Sequence, residues 1–212
     1  FEINGHTKQL GIIGYPVEHT FSPNMHNFIS ETVHNNYVYG AWCVKPEDLK
    51  DAIGGMRALG ISGINVTAPH KVEVMKYIDV VTDGAKKLGS VNTVVNRDGK
   101  LYGYNTDADG FCMALTKAGI EIENSRILII GAGGVVRPTL IRLIDNKPKS
   151  ITVVNRTKSK AKTLAEDILK STGFEVKTEI NKLEFDIVIN TTSAGMEPQE
   201  NVMPIENIEE IN

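Results

Sequence analysis

Two cysteines, one tryptophan and no surplus of basic residues leave several functional classes without support in this chain of 212 residues. Cys43 and Cys112 share no motif. A disulfide framework and a thiolate metal site are therefore set aside, and both are expected as reduced, buried thiols of a cytosolic protein. Lysine and arginine number 23 against 26 aspartate and glutamate, for a net charge of −3. That gives no footprint for nucleic acid or an anionic membrane, so any anion site has to be local. No apolar run approaches the roughly 20 residues of a membrane span. No signal peptide, internal repeat, low-complexity stretch or metal-ligand spacing is visible, and a cytoplasmic location is expected. Oligomeric state is not readable, and a homodimer is left open.

What is present suits a folded α/β protein. Hydrophobic residues make up 41% and charged residues 23%, close to an ordinary globular composition. Short apolar runs alternate with helical patterns. Strands are expected around residues 9–16, 36–44 and 63–67. Helices are expected from Ser22-Pro23 to about Asn35 with Ser22 as N-cap, from Pro46 to Gly60, and over 70–81. Asp98-Gly99 between apolar runs signals a hairpin. A helix follows over 107–119. From Ser125 the order is strand, helix, strand, helix, strand, with Ala161, Leu164, Ala165, Ile168 and Leu169 on one helical face. That order predicts a parallel sheet with right-handed crossovers. A boundary is expected around Thr106 to Gly110, giving domains 1–107 and 108–212.

"ILIIGAGGVVRP" carries the most specific local signal. Gly131 permits a tight turn, and Gly133 and Gly134 let a backbone approach a pyrophosphate. The helix behind them offers free N–H groups and its positive end. The preceding apolar strand and the following helix supply the context that a bare glycine motif lacks. The plainer alternative is a tight turn with no ligand. Val136 stands where a small third residue is usual. The next strand ends in Asn155, Arg156, Thr157, Lys158 and Lys160, with no carboxylate for a ribose 2′-hydroxyl. A guanidinium, a hydroxyl and lysines suit a 2′-phosphate. The reading is NADP(H) rather than NAD(H), against the alternative of a solvated basic loop.

Polar side chains gather in four segments of the first half, at 19–27, 65–71, 90–95 and 103–111. Ligands of α/β sheets bind at the carboxyl ends of strands. The segments offer the hydroxyls of Thr20, Ser22 and Thr67, the amides of Asn65 and Asn92, the ammonium of Lys71 and the carboxylate of Asp107. That inventory suits a small polyhydroxylated acid, with Lys71 and Asp107 able to handle a proton. Each has a plainer role too: Ser22 as a helix cap, Asn92 and Asn105 as turn formers, Asp107 as a cap, Lys71 as a solvated lysine. A cation in the first turn of a helix is disfavoured by the helix dipole, which sets Lys71 apart.

In order and spacing these segments resemble the shikimate dehydrogenases and the related quinate/shikimate dehydrogenases. The resemblance rests on Thr20-Phe21-Ser22-Pro23 with His26-Asn27, Asn65 to Lys71, Asn92-Thr93 and Gly103 to Asp107. It continues through Gly131 to Gly134, Asn155 to Thr157 and Asn190 to Met196. It implies an N-terminal α/β substrate domain followed by a Rossmann-type NADP domain, and reversible NADPH-dependent reduction of 3-dehydroshikimate to shikimate in aromatic amino acid biosynthesis. Lys71 and Asp107 are implied as the catalytic pair. Thr20 and Ser22 are implied to hold the substrate carboxylate, and Asn65, Thr67, Asn92 and Asp107 its hydroxyls. Gly131, Ala132, Gly133, Gly134, Asn155, Arg156, Thr157 and Lys160 would bind the nucleotide. Thr191, Thr192, Ser193 and Met196 would line its nicotinamide side. Against that pattern the chain is expected to be C-terminally incomplete, lacking further strands and a returning helix. A broader quinate/shikimate dehydrogenase using NAD, a non-catalytic NADP-binding module and a structural partner-binding domain are the alternatives.

Overall fold

The computed structural model of the protein describes residues 3–134, 136–181, 184–196 and 200–205. The acidic stretch 206–212 lies outside the described residues, as does Val135 of the glycine segment. The chain divides into two compact units, Phe1–Thr106 and Asp107–Asn212.

The first unit is built on six strands: β1 (Lys8–Gly14), β2 (Tyr37–Cys43), β3 (Gly63–Val66), β4 (Val80–Val81), β5 (Thr93–Arg97) and β6 (Lys100–Tyr104). Their order is β2-β1-β3-β5-β6-β4. β1 runs parallel to β2 and β3, and β4 is parallel to β6, while β5 is antiparallel to both of its neighbours. The sheet is therefore mixed. Only β5 is reversed, so the carboxyl ends of β1, β3 and β6 share an edge with the amino end of β5. Asp98 and Gly99 turn the β5–β6 hairpin with positive φ of 53° and 83°, the two left-handed residues of a type I′ turn.

Helices α1 (Ser22–Thr32), α2 (Leu49–Ala58) and α3 (Asp83–Leu88) belong to this unit. Leu49, Ile53 and Met56 lie at i, i+4 and i+7 on α2. All are at most 2% exposed, in one cluster with Ile13, Ile64, Val66, Val94 and Leu101. Each such side chain contributes about 1.5–3 kcal/mol by leaving water, so this stripe fixes α2 on the sheet.

Three expectations need correction here. Ser22 is the first residue of α1 and not its cap; the capping position is Phe21, without a side-chain hydrogen bond, and the helix ends at Thr32 rather than near Asn35. The segment 70–81 is not an α-helix. It forms turns, a short 3-10 helix over Glu73–Lys76 and then β4. The reason is a competing partner: the Lys71 carbonyl accepts from Val91 N–H at 2.8 Å, and Met75 N–H turns to Val72 O instead. β-Branched Val72 and Val74 also favour the helix little. Finally, Cys43 is exposed at the end of the edge strand β2, and only Cys112 is buried.

The second unit places β7 (Arg126–Ile130), β8 (Ser150–Val154), β9 (Val176–Lys177) and β10 (Ile187–Asn190) in a sheet of order β10-β7-β8-β9. All its pairings are parallel, as the strand–helix alternation predicts. Helices α4 (Asp107–Lys117), α5 (Val136–Asp145) and α6 (Lys158–Thr172) belong to it. Ile127, Leu128, Ile129 and Ile130 are all at most 2% exposed, the unbroken apolar run of a strand covered on both faces. Along the predicted α6 face, Ala161 and Ile168 are buried, but Leu169 is 49% exposed; it falls beside the stripe rather than on it. β4, β9 and the six-residue α3 are too short to carry a periodic signal.

At the amino end of β7, Arg126 holds Asp186 through Nη2–Oδ1 at 2.9 Å and Nε–Oδ2 at 3.0 Å, and Glu184 at 2.7 Å. The Arg126 guanidinium and the Arg126 backbone N–H hold the Asp186 carboxyl down to about 2, from an ordinary 3.8. A depressed carboxylate stabilises the fold fully above its unfolded value and loses that contribution as pH falls through the folded one. Asp186→Asn is therefore expected to lower stability at neutral pH and to flatten the pH dependence between about 4 and 2. Urea melts across that range test it; an unchanged slope in the variant would refute the assignment.

Candidate active site

The polar residues of the first unit meet at one sheet edge. Register places Ile13 beside Val66, Asn65 beside Thr93 and Thr93 beside Tyr104. Backbone bonds continue past the strands. Thr67 N–H donates to Ile13 O at 2.9 Å, Val66 N–H to Asn92 O at 2.8 Å, and Asn92 N–H to Tyr104 O at 2.9 Å. With the Val91–Lys71 bond, they assemble Asn65, Thr67, Lys71 and Asn92 in one place. Gly14 permits this: a Cβ there would collide with the Thr67 methyl carbon.

Lys71 stands half-buried in a turn, so the helix-dipole argument for it lapses. What holds the turn is its neighbour. His70 is 1% exposed, and its Nε2 lies 2.7 Å from Val44 O. That carbonyl needs a donor, so Nε2 carries the proton. His70 is anchored inward and Lys71 follows it at the edge.

Tyr39, which the motifs do not include, organises the rest. Its hydroxyl donates to Asn65 Oδ1 at 2.7 Å and shares a hydrogen bond with the Ser22 side chain. Burial pushes its ionisation up to about 12, so it remains a donor. Asn65 Nδ2 in turn donates to Thr93 Oγ1 at 3.2 Å, which fixes the amide's orientation. The His26 ring stacks on Tyr39 at 4.3 Å and 11°, and burial lowers the His26 pKa. Thr20 Oγ1 accepts from Ser22 N–H at 3.2 Å, which leaves its own proton for a ligand. Asn92 is a hub more than a turn former. Its Oδ1 accepts from Thr106 N–H at 3.0 Å, and its Nδ2 donates to Thr106 Oγ1 at 3.0 Å. Asn105 Nδ2 donates to Ser90 Oγ at 2.8 Å. Asp107, the residue after Thr106, is exposed in the first turn of α4, where the helix dipole favours a carboxylate.

In the second unit the glycine turn sits at the end of β7. Gly131 has φ +112°, and a Cβ on it would strike the Thr191 hydroxyl. Gly131 N–H donates to Val154 O at 2.8 Å, and Ala132 N–H to Asn155 Oδ1 at 3.1 Å. Above Gly133 and Gly134 a Cβ would meet nothing within 4 Å. Val136 opens α5 fully buried, so the larger third residue is packed without opening the turn.

A cavity of about 450 Å³ lies against this turn. Gly131, Ala132 and Gly133 line it, with Asn155 and Arg156 from the end of β8 and Thr191, Thr192 and Ser193 from the end of β10. Gly134, Thr157, Lys160 and Met196 do not line it; Thr157 is the capping position of α6 without a side-chain bond, and Met196 is 64% exposed. Val202, Met203, Pro204 and Ile205 do line it. Only the apolar "VMPI" inside a polar tail could have pointed to them. Open space over two glycines, a fixed Asn155 and an exposed guanidinium with no acid among the described lining residues fit a phosphorylated dinucleotide.

An α/β unit with a polar cluster at one sheet edge, followed by a Rossmann-type unit, defines a two-domain nucleotide-dependent dehydrogenase. The family models narrow this. That of the shikimate dehydrogenase substrate binding domain matches residues 12–94, and that of shikimate / quinate 5-dehydrogenase matches residues 113–211. The chain belongs to the shikimate dehydrogenase family. It is 46% identical over 203 residues to the shikimate dehydrogenase (NADP(+)) of Geobacillus sp. (strain WCH70), covering 93% of this chain and 73% of that relative. A crystal structure of a shikimate dehydrogenase in complex with NADP+ matches with TM-score 0.87 and 41% identity, over 95% of this chain and 72% of that one. The shikimate 5-dehydrogenase of Listeria monocytogenes, in complex with shikimate and NAD, matches with TM-score 0.88 and 32% identity, over 100% and 78%.

Proposed function

We propose that the protein interconverts 3-dehydroshikimate and shikimate with NADP(H), Lys71 and Asp107 acting as the acid–base pair. The observation that carries the reading is the assembly of Asn65, Thr67, Lys71 and Asn92 at one sheet edge in a member of this family. When bound, NADPH would supply the hydride. The Lys71 ammonium stabilises the charge that develops on the carbonyl oxygen and delivers a proton to it. Asp107, the other member of the proposed pair, accepts from a substrate hydroxyl. Thr20 and Ser22 hold the carboxylate, while Asn65, Thr67 and Asn92 fix the hydroxyls and so the register of the ring. The glycine turn from Gly131 to Gly134 takes the pyrophosphate. Arg156, with Asn155, takes the 2′-phosphate, while Thr157 and Lys160 follow outside the cavity lining, and Thr191 to Ser193 border the nicotinamide half. A cytoplasmic location belongs to the same proposal; no helix among the described residues is long and apolar enough to cross a membrane.

The test is shikimate-dependent reduction of NADP+ followed by absorbance, with quinate and NAD+ in parallel. Turnover with shikimate and NADP+ supports the reading, and absence of turnover counts against it. The Listeria complex favours one second reading, a related enzyme that also accepts NAD; comparable rates with both cofactors would select it. Arg156→Ala is expected to weaken NADP+ binding by about tenfold or more and to leave NAD+ binding unchanged, since a charge-assisted bond contributes about 1.5–3 kcal/mol. Parallel losses for both cofactors in calorimetric titrations would take the 2′-phosphate away from Arg156.

A further inference from the structure

The dinucleotide cavity has a wall that belongs to no nucleotide-binding motif of the sequence. Val202, Met203, Pro204 and Ile205 line it, and Val202 and Met203 keep 50% and 63% of their surface exposed. That is apolar area open to a ligand. Among the described lining residues, Arg156 carries the only charge at neutral pH, and it is positive.

The sheet order gives the cavity a direction. β8, which ends in Asn155 and Arg156, lies on one side of β7 and its glycine turn. β10, which ends in Thr191 to Ser193, lies on the other. A dinucleotide with its phosphorylated ribose at Arg156 and its pyrophosphate at the glycines extends its other half toward β10. There it meets hydroxyls and the apolar 202–205 segment, with no carboxylate among the described lining residues.

We infer that this wall makes the site select the reduced cofactor over the oxidised one. The inference rests on the reading of the second unit as an NADP(H) site. The two forms share the adenosine, the 2′-phosphate and the pyrophosphate. They differ by one positive charge, carried on the oxidised nicotinamide ring. Against an apolar wall that ring loses hydration and gains no counter-charge. The neutral dihydronicotinamide gains burial at no such cost. The selectivity favours carbonyl reduction, because the spent cofactor leaves more readily than the fresh one.

The purified chain is titrated with NADPH by its dihydronicotinamide fluorescence, and with NADP+ by competition against bound NADPH. The expected result is a Kd for NADPH lower than that for NADP+ by roughly threefold or more, the scale of one partly exposed charge interaction. Met203→Glu and, separately, Val202→Asp supply the missing anion and are expected to narrow that ratio by roughly threefold. Met203→Gln, polar but neutral, leaves the ratio in place. Arg156→Ala weakens both forms together, with the ratio intact. Equal affinities in the unaltered protein, or a ratio that moves in neither carboxylate variant, overturn the inference while leaving the cofactor site standing. If neither form binds the unaltered protein, the cofactor reading itself falls and takes the inference with it.

Discussion

Lys71→Ala is expected to lower kcat for shikimate oxidation by roughly a hundred- to ten-thousand-fold, the range of a positioned proton donor, with a smaller change in KM. The asymmetry follows from the proposed role. A hydride arriving at the carbonyl carbon leaves charge on oxygen only as the reaction proceeds. An ammonium aimed there is therefore stronger in the transition state than in the bound substrate. The surroundings of Lys71 survive the substitution. His70 still anchors the turn on Val44 O, and Val91 still donates to the carbonyl of residue 71. A melting temperature unchanged from wild type, beside lost turnover, separates chemistry from folding. Near-normal kcat would remove Lys71 from the mechanism.

Gly131→Val is expected to cost the second unit much of its stability. Valine at φ +112° is strained by about 1–3 kcal/mol. Its Cβ also lands on the Thr191 hydroxyl, which donates to Ile130 O at 2.8 Å beside a backbone bond to the same oxygen. Overpacking adds about 1–3 kcal/mol. Together these approach the lower end of the roughly 5–15 kcal/mol that holds a domain folded. The melting temperature should fall by roughly ten degrees or more. Gly133→Ala is the informative contrast. Its Cβ meets no protein atom within 4 Å, so the fold tolerates it and only nucleotide affinity drops. A melt of Gly131→Val within about 2 °C of wild type would contradict the turn geometry described.

The second unit was the more legible half, for a physical reason. A parallel strand covered on both faces reads as one apolar run, and β7 has that run. Its exit must be glycine because the backbone there is left-handed and Thr191 is close. The apolar run and its glycine exit are adjacent in the sequence, although Thr191 comes from 60 residues further on. In the first unit the site residues were legible as types, but not their support. Tyr39 is a tyrosine in a strand, and nothing local says that its hydroxyl bridges Ser22 and Asn65 across the sheet. The periodicity over 70–81 favours a helix, but one long-range bond, from Val91 N–H to the Lys71 carbonyl, outcompetes it. The apolar wall at 202–205 had no period at all.

β2 is the outermost strand on its side of the first sheet, and an outermost strand ordinarily offers its free backbone groups to any passing chain. Here α1 already occupies several of them. Asn27 Nδ2 donates to Tyr39 O at 2.9 Å while its Oδ1 accepts from Tyr39 N–H at 2.8 Å. The Ser30 hydroxyl donates to Tyr37 O at 2.9 Å. Two side chains of one helix thus stand in for the strand that is not there. The helix that begins with Ser22 leaves the middle of this edge with fewer free backbone groups to offer another strand.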